Sequence, residues 1–265
     1  MREIDGVVNM SAQSNDDIRR FAKKLELLKM NDIDFLFYEM LPLCGVGASV
    51  AFSRFLTLHN KICFGSFALI NAYKKEHTGL WGDSTNNNIW YRSMYLETAI
   101  MAYNSIEDYI YMVLYFNFDL YEKMDNYSIK NKEDIIERSK EIKGKTKSNI
   151  DTWLYSQYST KQFHDDFQRY KDSTGSLREL ANDIKHRGCR EVDGIDLPRV
   201  TRVKKVIDDN EVDITELVSP YIISIDEEIN NLAGIHEKSL EIQKKLYRLC
   251  DFKGQLKTLL NNQVK

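Results

Sequence analysis

Proline and glycine are scarce in this sequence, with three prolines and twelve glycines among 265 residues. Folds with many strands need frequent tight turns, and these two residues supply most of them. Their scarcity therefore argues against a many-stranded protein. Hydrophobic residues make up 43% of the chain, which is enough to bury a sizeable core. The composition predicts a folded protein built from long α-helices.

Long apolar runs and cysteine motifs are also lacking. The longest uncharged stretch, residues 40–53, has 14 residues, whereas a membrane-spanning helix needs about 18 to 20. The first 17 residues lack the apolar centre of a signal peptide, and the four cysteines follow no CxxC or metal-ligand spacing. We expect a cytoplasmic protein with reduced thiols, no membrane association, no metal site and no cofactor.

Positive charge is not in excess, since 37 basic and 40 acidic residues give a net charge of -3. A chain that binds nucleic acids indiscriminately carries positive charge over much of its surface. That class of protein is excluded, and any nucleic-acid site must be local.

Turn-forming residues at 78–88 mark the clearest loop of the first half. They predict an N-terminal helical extension over 1–86 and a main helical domain over 87–265. Residues 89–123 contain no glycine or proline and are apolar on nearly all sides, which predicts one long buried helix. A charged connector, amphipathic or partly disordered, is expected over 132–147. A last helix is expected from Ser219 to about Asn261, bent near Gly234 or Gly254.

Two further patterns complete the expected fold. Alternating apolar residues at 198–214 flank Asp208, Asp209 and Asn210, which predicts a small β-hairpin near 199–214. On the long helix, spacings of seven and four residues place a polar stripe along one line, made of Glu97, Asn104 and Asp108. The predicted fold class is all-α, a bundle of long antiparallel helices with one small β-hairpin.

The segment 177–187 carries the most information about function. Its apolar residues have the spacing of one helical face, which predicts that this face packs in the core: Leu177, Leu180, Ala181 and Ile184. Ser176 and Glu179 match the capping box that starts a helix. His186 and Asn182 lie opposite the apolar face, and His186 is in the last turn, where the helix dipole favours the imidazolium ion.

A basic neighbourhood follows this segment, because residues 185–205 hold seven basic and three acidic side chains. Such a patch beside an outward histidine could neutralise an RNA backbone. The alternative is a solvated loop and hairpin edge whose charges oppose aggregation. The candidate binding residues are Lys185, Arg190, Arg202 and Lys204.

The layout of a long aromatic helix, a connector and a short helix with the sequence LRELANDIKHRG resembles the HEPN superfamily (higher eukaryotes and prokaryotes nucleotide-binding) over about residues 87–260. The resemblance implies a homodimer, and in active members a metal-independent ribonuclease with its cleft between two such helices. It places the family's histidine on His186 and its polar residue on Asn182. The family's arginine falls on Ala181, so Arg178 or Arg187 would have to bind phosphate instead.

Three functions follow as alternatives. In a ribonuclease, His186 would transfer protons, Asn182 would orient, Arg178 or Arg187 would hold phosphate, and the stripe of Glu97, Asn104 and Asp108 could support the cationic groups. The second is an inactive HEPN-like module that binds RNA, a nucleotide, or a protein such as an antitoxin. The third is a helical scaffold in which His186 is an ordinary surface or interface histidine.

Overall fold

The computed structural model describes residues 13–28, 41–77, 85–187, 191–192, 204–207, 210–213 and 222–263. These residues form an all-α helical bundle. The first helices are α1 (Asn15–Lys24), a short 3-10 helix (Leu41–Cys44), α2 (Val46–Tyr73), α3 (Thr85–Asn104), α4 (Ile106–Asn117) and α5 (Leu120–Lys123). They are followed by α6 (Lys132–Glu141), α7 (Gly144–Ser156), α8 (Tyr158–Ser173), α9 (Gly175–Arg187), α10 (Ile225–Cys250) and α11 (Phe252–Gln263).

Helices α2 and α3 form the centre of the bundle and run antiparallel. Arg92 Nε donates to the carbonyl oxygen of Ala72 at 2.8 Å, and farther along the pair Gly65 faces the ring of Tyr103. Helix α2 also packs on α4 and α10. The boundary expected at residue 86 falls within α3, and helices on both sides of it share one hydrophobic core.

The single long helix predicted over 89–123 is wrong, because the chain bends twice within it. At Ser105 the backbone N–H donates to the carbonyl oxygen of Ala102, three residues back, and the Ser105 hydroxyl donates to the same oxygen at 2.7 Å. That local bond replaces the regular helical one and separates α3 from α4. Asp119 then adopts a left-handed conformation, φ 50°, and ends α4.

The last predicted helix starts at a later residue, and its break lies near one of the two expected glycines. Ile222 and Ile223 form a short strand, and α10 begins only at Ile225, where the Ser224 side chain accepts from the backbone N–H of Glu227. The break lies at Asp251, whose φ of 42° separates α10 from α11 just before Gly254, while α10 continues through Gly234. Residues 219–221 lie outside the described residues.

Four short strands accompany the helices: β1 (Glu191–Val192), β2 (Lys204–Ile207), β3 (Asn210–Asp213) and β4 (Ile222–Ile223). Within the segment predicted as a hairpin, β2 and β3 pair antiparallel, from Lys204 opposite Asp213 to Ile207 opposite Asn210. Strands β1 and β4 pair parallel, a contact that the sequence did not suggest.

None of the helices in the described ranges combines the length and apolar character that crossing a membrane requires. Cys44, Cys63 and Cys250 are free thiols, and Cys189 lies outside the described residues.

Candidate functional site

Helix α9 packs its apolar face into the bundle, as predicted. Leu177, Leu180 and Ala181 are buried, and Ile184 packs against the same core. The helix contacts α3 and α8. It begins at Gly175, so Ser176 lies inside its first turn and the predicted capping box of Ser176 and Glu179 is wrong. The burial of one face leaves the opposite face as the candidate site.

The exposed face of α9 carries Asn182 and Lys185. His186 and Arg187 are the last two residues of the helix, and their side chains lie outside the described residues. Since His186 follows Asn182 by four residues in a helix, the two Cα atoms lie one above the other on the same side. The exposed face of Asn182 therefore continues to His186 along the backbone.

Arg178, one turn before Asn182, is already bound to an acidic residue. Its guanidinium donates to Oε2 of Glu107 on α4. The other carboxylate oxygen of Glu107 accepts from Nζ of Lys147 on α7 at 3.2 Å, and Lys147 also contacts Asp108 at 2.6 Å. These two cations and two carboxylates balance one another. The positive charge of Arg178 is therefore already compensated by Glu107.

Ala181 stands where the resemblance expects an arginine, and it is fully buried at 0% exposure. An arginine at this position would place a guanidinium among the apolar side chains of the core, at a large desolvation cost. The local packing explains why a small residue occupies it.

The predicted polar stripe lies along α3 and α4, but Asp108 points to Lys147 of α7 and not to α9. Glu97 and Asn104 are half-buried on α3. Another carboxylate, Glu107 on α4, accepts a hydrogen bond from Arg178 of α9, and sequence reasoning missed it. The next residue, Asp108, was a candidate only because of its spacing from Glu97 and Asn104. No pattern in the sequence connects Glu107 with Arg178, 71 residues away.

Strand β1 lies within the basic neighbourhood after α9 and pairs with β4. Glu191 pairs with Ile222 and Val192 with Ile223, just before α10 begins. Residues 193–203, 208–209 and 214–221 lie outside the described residues. Arg190 and Arg202 lie outside the described residues, and Lys204 occupies the first position of β2 opposite Asp213.

The described residues hold no group of three or more histidine, cysteine, aspartate or glutamate side chains that could bind a metal ion. Comparison with protein-family models, curated proteins and solved structures finds no match to this chain. Its function must be argued from its own residues.

Proposed function

We propose that this chain is a HEPN-like module that binds RNA at the exposed face of α9 without cleaving it. The RNA backbone would contact Lys185 and His186 and the basic residues that follow, while Asn182 would donate or accept hydrogen bonds. The further basic candidates are Arg187, Arg190, Arg202 and Lys204.

The β1–β4 pair is the observation that carries this proposal. It fixes residues 191–192, which lie within the basic neighbourhood of 185–205, beside the start of α10. A local cluster of cations in a protein of net charge -3 is what a confined RNA site requires. Arg178 is paired with Glu107, and Ala181, where the resemblance expects an arginine, is buried. Both observations favour RNA binding over RNA cleavage.

A metal-independent ribonuclease is the second candidate, and the exposure of Asn182 one turn before His186 favours it. Cleavage needs proton transfer at the 2′-hydroxyl and the leaving oxygen, and positive charge on the phosphate. His186 would transfer the protons, Asn182 would orient the phosphate, and Arg187, or Arg178 after release from Glu107, would supply the charge.

One experiment separates binding from cleavage. Wild-type protein is titrated into a labelled single-stranded RNA across a salt series without divalent metal, and the same RNA is then run on a denaturing gel. We expect binding that weakens with salt, and intact RNA. Absence of binding would contradict the proposal, whereas fragments with 2′,3′-cyclic phosphate ends that disappear in His186→Ala would establish the ribonuclease.

Matched variants locate the site. Lys185→Gln with Arg190→Gln should weaken RNA binding and flatten its salt dependence by about one unit for each lost phosphate contact. Lys24→Gln with Lys257→Gln removes the same charge from exposed positions on α1 and α11. This control should bind RNA as the wild type does. Equal losses in both double variants would mean that only net charge matters.

The homodimer is part of the same proposal, as is a protein partner such as an antitoxin. Light scattering on the purified chain tests the dimer directly, because a mass of one chain, 31.1 kDa, would contradict it. If the chain is a monomer, the RNA site cannot be a cleft between two α9 helices. RNA binding to a single α9 can still be tested.

A further inference from the structure

A cavity of about 480 Å³ lies away from the exposed face of α9, where α2, α4, α6 and α7 meet. Its volume is in the range of small-molecule sites. The charged residues of its lining are four cations and one carboxylate: Arg54, Lys140, Lys143, Lys147 and Asp108. Its uncharged lining includes Tyr109, Met112, Ile136 and Ile142. A cavity lined partly by cations and partly by apolar side chains suits an anion that also carries an apolar group.

The carboxylate does not neutralise the cavity. Asp108 contacts Lys147 at 2.6 Å, so these two charges compensate each other. Arg54, Lys140 and Lys143 form no ion pair within the described part of the chain, and the neighbouring carboxylates Glu137 and Glu141 contact Arg138 instead. Three positive charges are therefore left facing one cavity of an acidic protein.

Arg54 offers a hydrogen-bond donor that nothing in the described ranges uses. Its Nη2 atom donates to the hydroxyl of Ser139 at 3.2 Å, which orients the guanidinium. Its Nε atom is buried without a hydrogen-bond partner among the described residues. A buried donor without an acceptor is costly, so the position of Arg54 at the cavity is not explained by its contacts within the described residues.

The first turn of α7 adds backbone donors to the same cavity. This helix of 13 residues begins at Gly144, which lines the cavity, and no side chain caps its first N–H groups. Its first turn has no acidic residue, so nothing there offsets the positive end of the helix dipole. A Cβ atom at Gly144 would have no neighbour within 4 Å, so the backbone is open to an approaching ligand.

We propose that this cavity binds a small molecule that carries a phosphate group on an apolar ring. The phosphate lies between Arg54, Lys143 and the first turn of α7, and the ring lies against Met112 and Ile136. Charge-assisted hydrogen bonds hold the phosphate, as at other helix N-termini, and burial of the ring adds affinity.

Isothermal titration calorimetry with phenyl phosphate, inorganic phosphate and phenol tests the proposal on the full chain. We expect phenyl phosphate to bind in a roughly millimolar range or tighter, and at least about tenfold more tightly than either of its parts. No saturable binding of phenyl phosphate would overturn the proposal. Equal affinity for phenyl phosphate and inorganic phosphate would overturn the proposal that the ring lies against Met112 and Ile136.

Three variants test the location. Lys140→Gln with Lys143→Gln should weaken phenyl phosphate binding at least about tenfold, since one charged contact and a second positive charge of the lining are lost. The control, Lys244→Gln with Lys257→Gln, makes the same charge change at exposed positions of α10 and α11 and should bind within about twofold of wild type. Ile136→Trp should remove the preference for the ring without unfolding the protein, because Ile136 is 42% exposed.

Equal weakening in both lysine double variants would overturn the site. These probes contain no RNA, and the variants lie outside α9. If phosphate does not bind in the cavity, the proposal of RNA binding at α9 is unaffected. If RNA does not bind, the proposal for the cavity is unaffected.

Discussion

The phenol oxygen of Tyr103 lies 2.9 Å from Nδ1 of His236, in a buried hydrogen bond that joins α3 to α10. On the other side of the ring, Nε2 of His236 is 3.2 Å from the carbonyl oxygen of Glu26, just after α1. A carbonyl oxygen only accepts, so the imidazole carries its proton on Nε2 and Nδ1 accepts from the phenol. The neutral ring, 0% exposed, thus connects three parts of the bundle.

Tyr103→Phe should lower the free energy of unfolding by about 1 to 3 kcal/mol, because it leaves Nδ1 of His236 buried without a donor. Urea denaturation followed by circular dichroism measures this change. Tyr155→Phe is the control, since Tyr155 is 56% exposed, and its effect should stay within about 0.5 kcal/mol. Equal effects of the two substitutions would mean that the buried hydrogen bond adds no stability.

Gly65→Ala should destabilise the protein through the same tyrosine. A Cβ atom at Gly65 would lie 2.8 Å from Cζ of Tyr103, and the ring cannot move away without breaking its bond to His236. We expect a loss of about 1 to 3 kcal/mol. Gly234→Ala on α10 is the matched control, because nothing lies within 4 Å of its Cβ position. It should raise stability by about 0.5 to 1 kcal/mol, as alanine does in a helix.

Stability should fall as the pH drops from about 7.5 to 5.5. Burial lowers the pKa of His59, His77 and His236 below the ordinary value of 6.5. Below pH 6.5 the unfolded chain binds protons that the folded chain does not, so protonation favours unfolding. The stabilisation is complete above that pH and decreases below it, by up to about 1.4 kcal/mol for each site and pKa unit.

The slope of unfolding free energy against pH checks this expectation. His236→Gln removes one buried titrating group, so its slope between pH 7.5 and 5.5 should be shallower than that of the wild type. His164→Gln is the control, because it removes a histidine that is only half-buried. A wild-type slope in His236→Gln would show that this histidine does not cause the pH dependence.

Glu107→Gln should strengthen RNA binding if α9 is the RNA site. The substitution removes the carboxylate that holds Arg178 and leaves Lys147 paired with Asp108 alone. Arg178 lies one turn before Asn182 on the same face, so its release adds a cation to that face. We expect a tighter complex whose salt dependence is steeper by about one unit, measured by fluorescence anisotropy.

Glu122→Gln makes the same change of charge at an exposed position on α5 and serves as the control. It should leave the salt dependence as in the wild type. If both substitutions tighten RNA binding equally, the effect is one of net charge and Arg178 is not part of the site. Thermal unfolding of both variants ensures that folded protein is compared.

The sequence predicted features that depend on residues close to one another in the chain. The spacing of Leu177, Leu180 and Ala181 correctly placed one face of α9 in the core, because a helix repeats every 3.6 residues and burial follows that repeat. Gly47 marks a close approach that the spacing did not predict, since a Cβ atom there would lie 2.6 Å from the carbonyl oxygen of Phe116.

The helix ends were predicted less well. Ser105 and Asp119 interrupt a segment that has no proline or glycine, and the break expected near Gly254 uses Asp251 and not the glycine itself. Each of these breaks uses an ordinary polar residue, and at Ser105 a hydrogen bond to the Ala102 carbonyl oxygen replaces the regular helical one. Composition carries little information about such positions. The charged connector expected at 132–147 likewise turned out to hold α6 and the start of α7.

The sequence by itself determined the all-α class, the core face of α9 and the local basic segment, because helical spacing and charge are properties of neighbouring residues. The tertiary structure decided which charges meet. Only the arrangement of α4, α7 and α9 in the bundle brought Glu107 to Arg178 and Lys147, and only the meeting of α2, α4, α6 and α7 formed a cationic cavity. Such contacts join residues far apart in the chain, and their geometry depends on how whole helices pack.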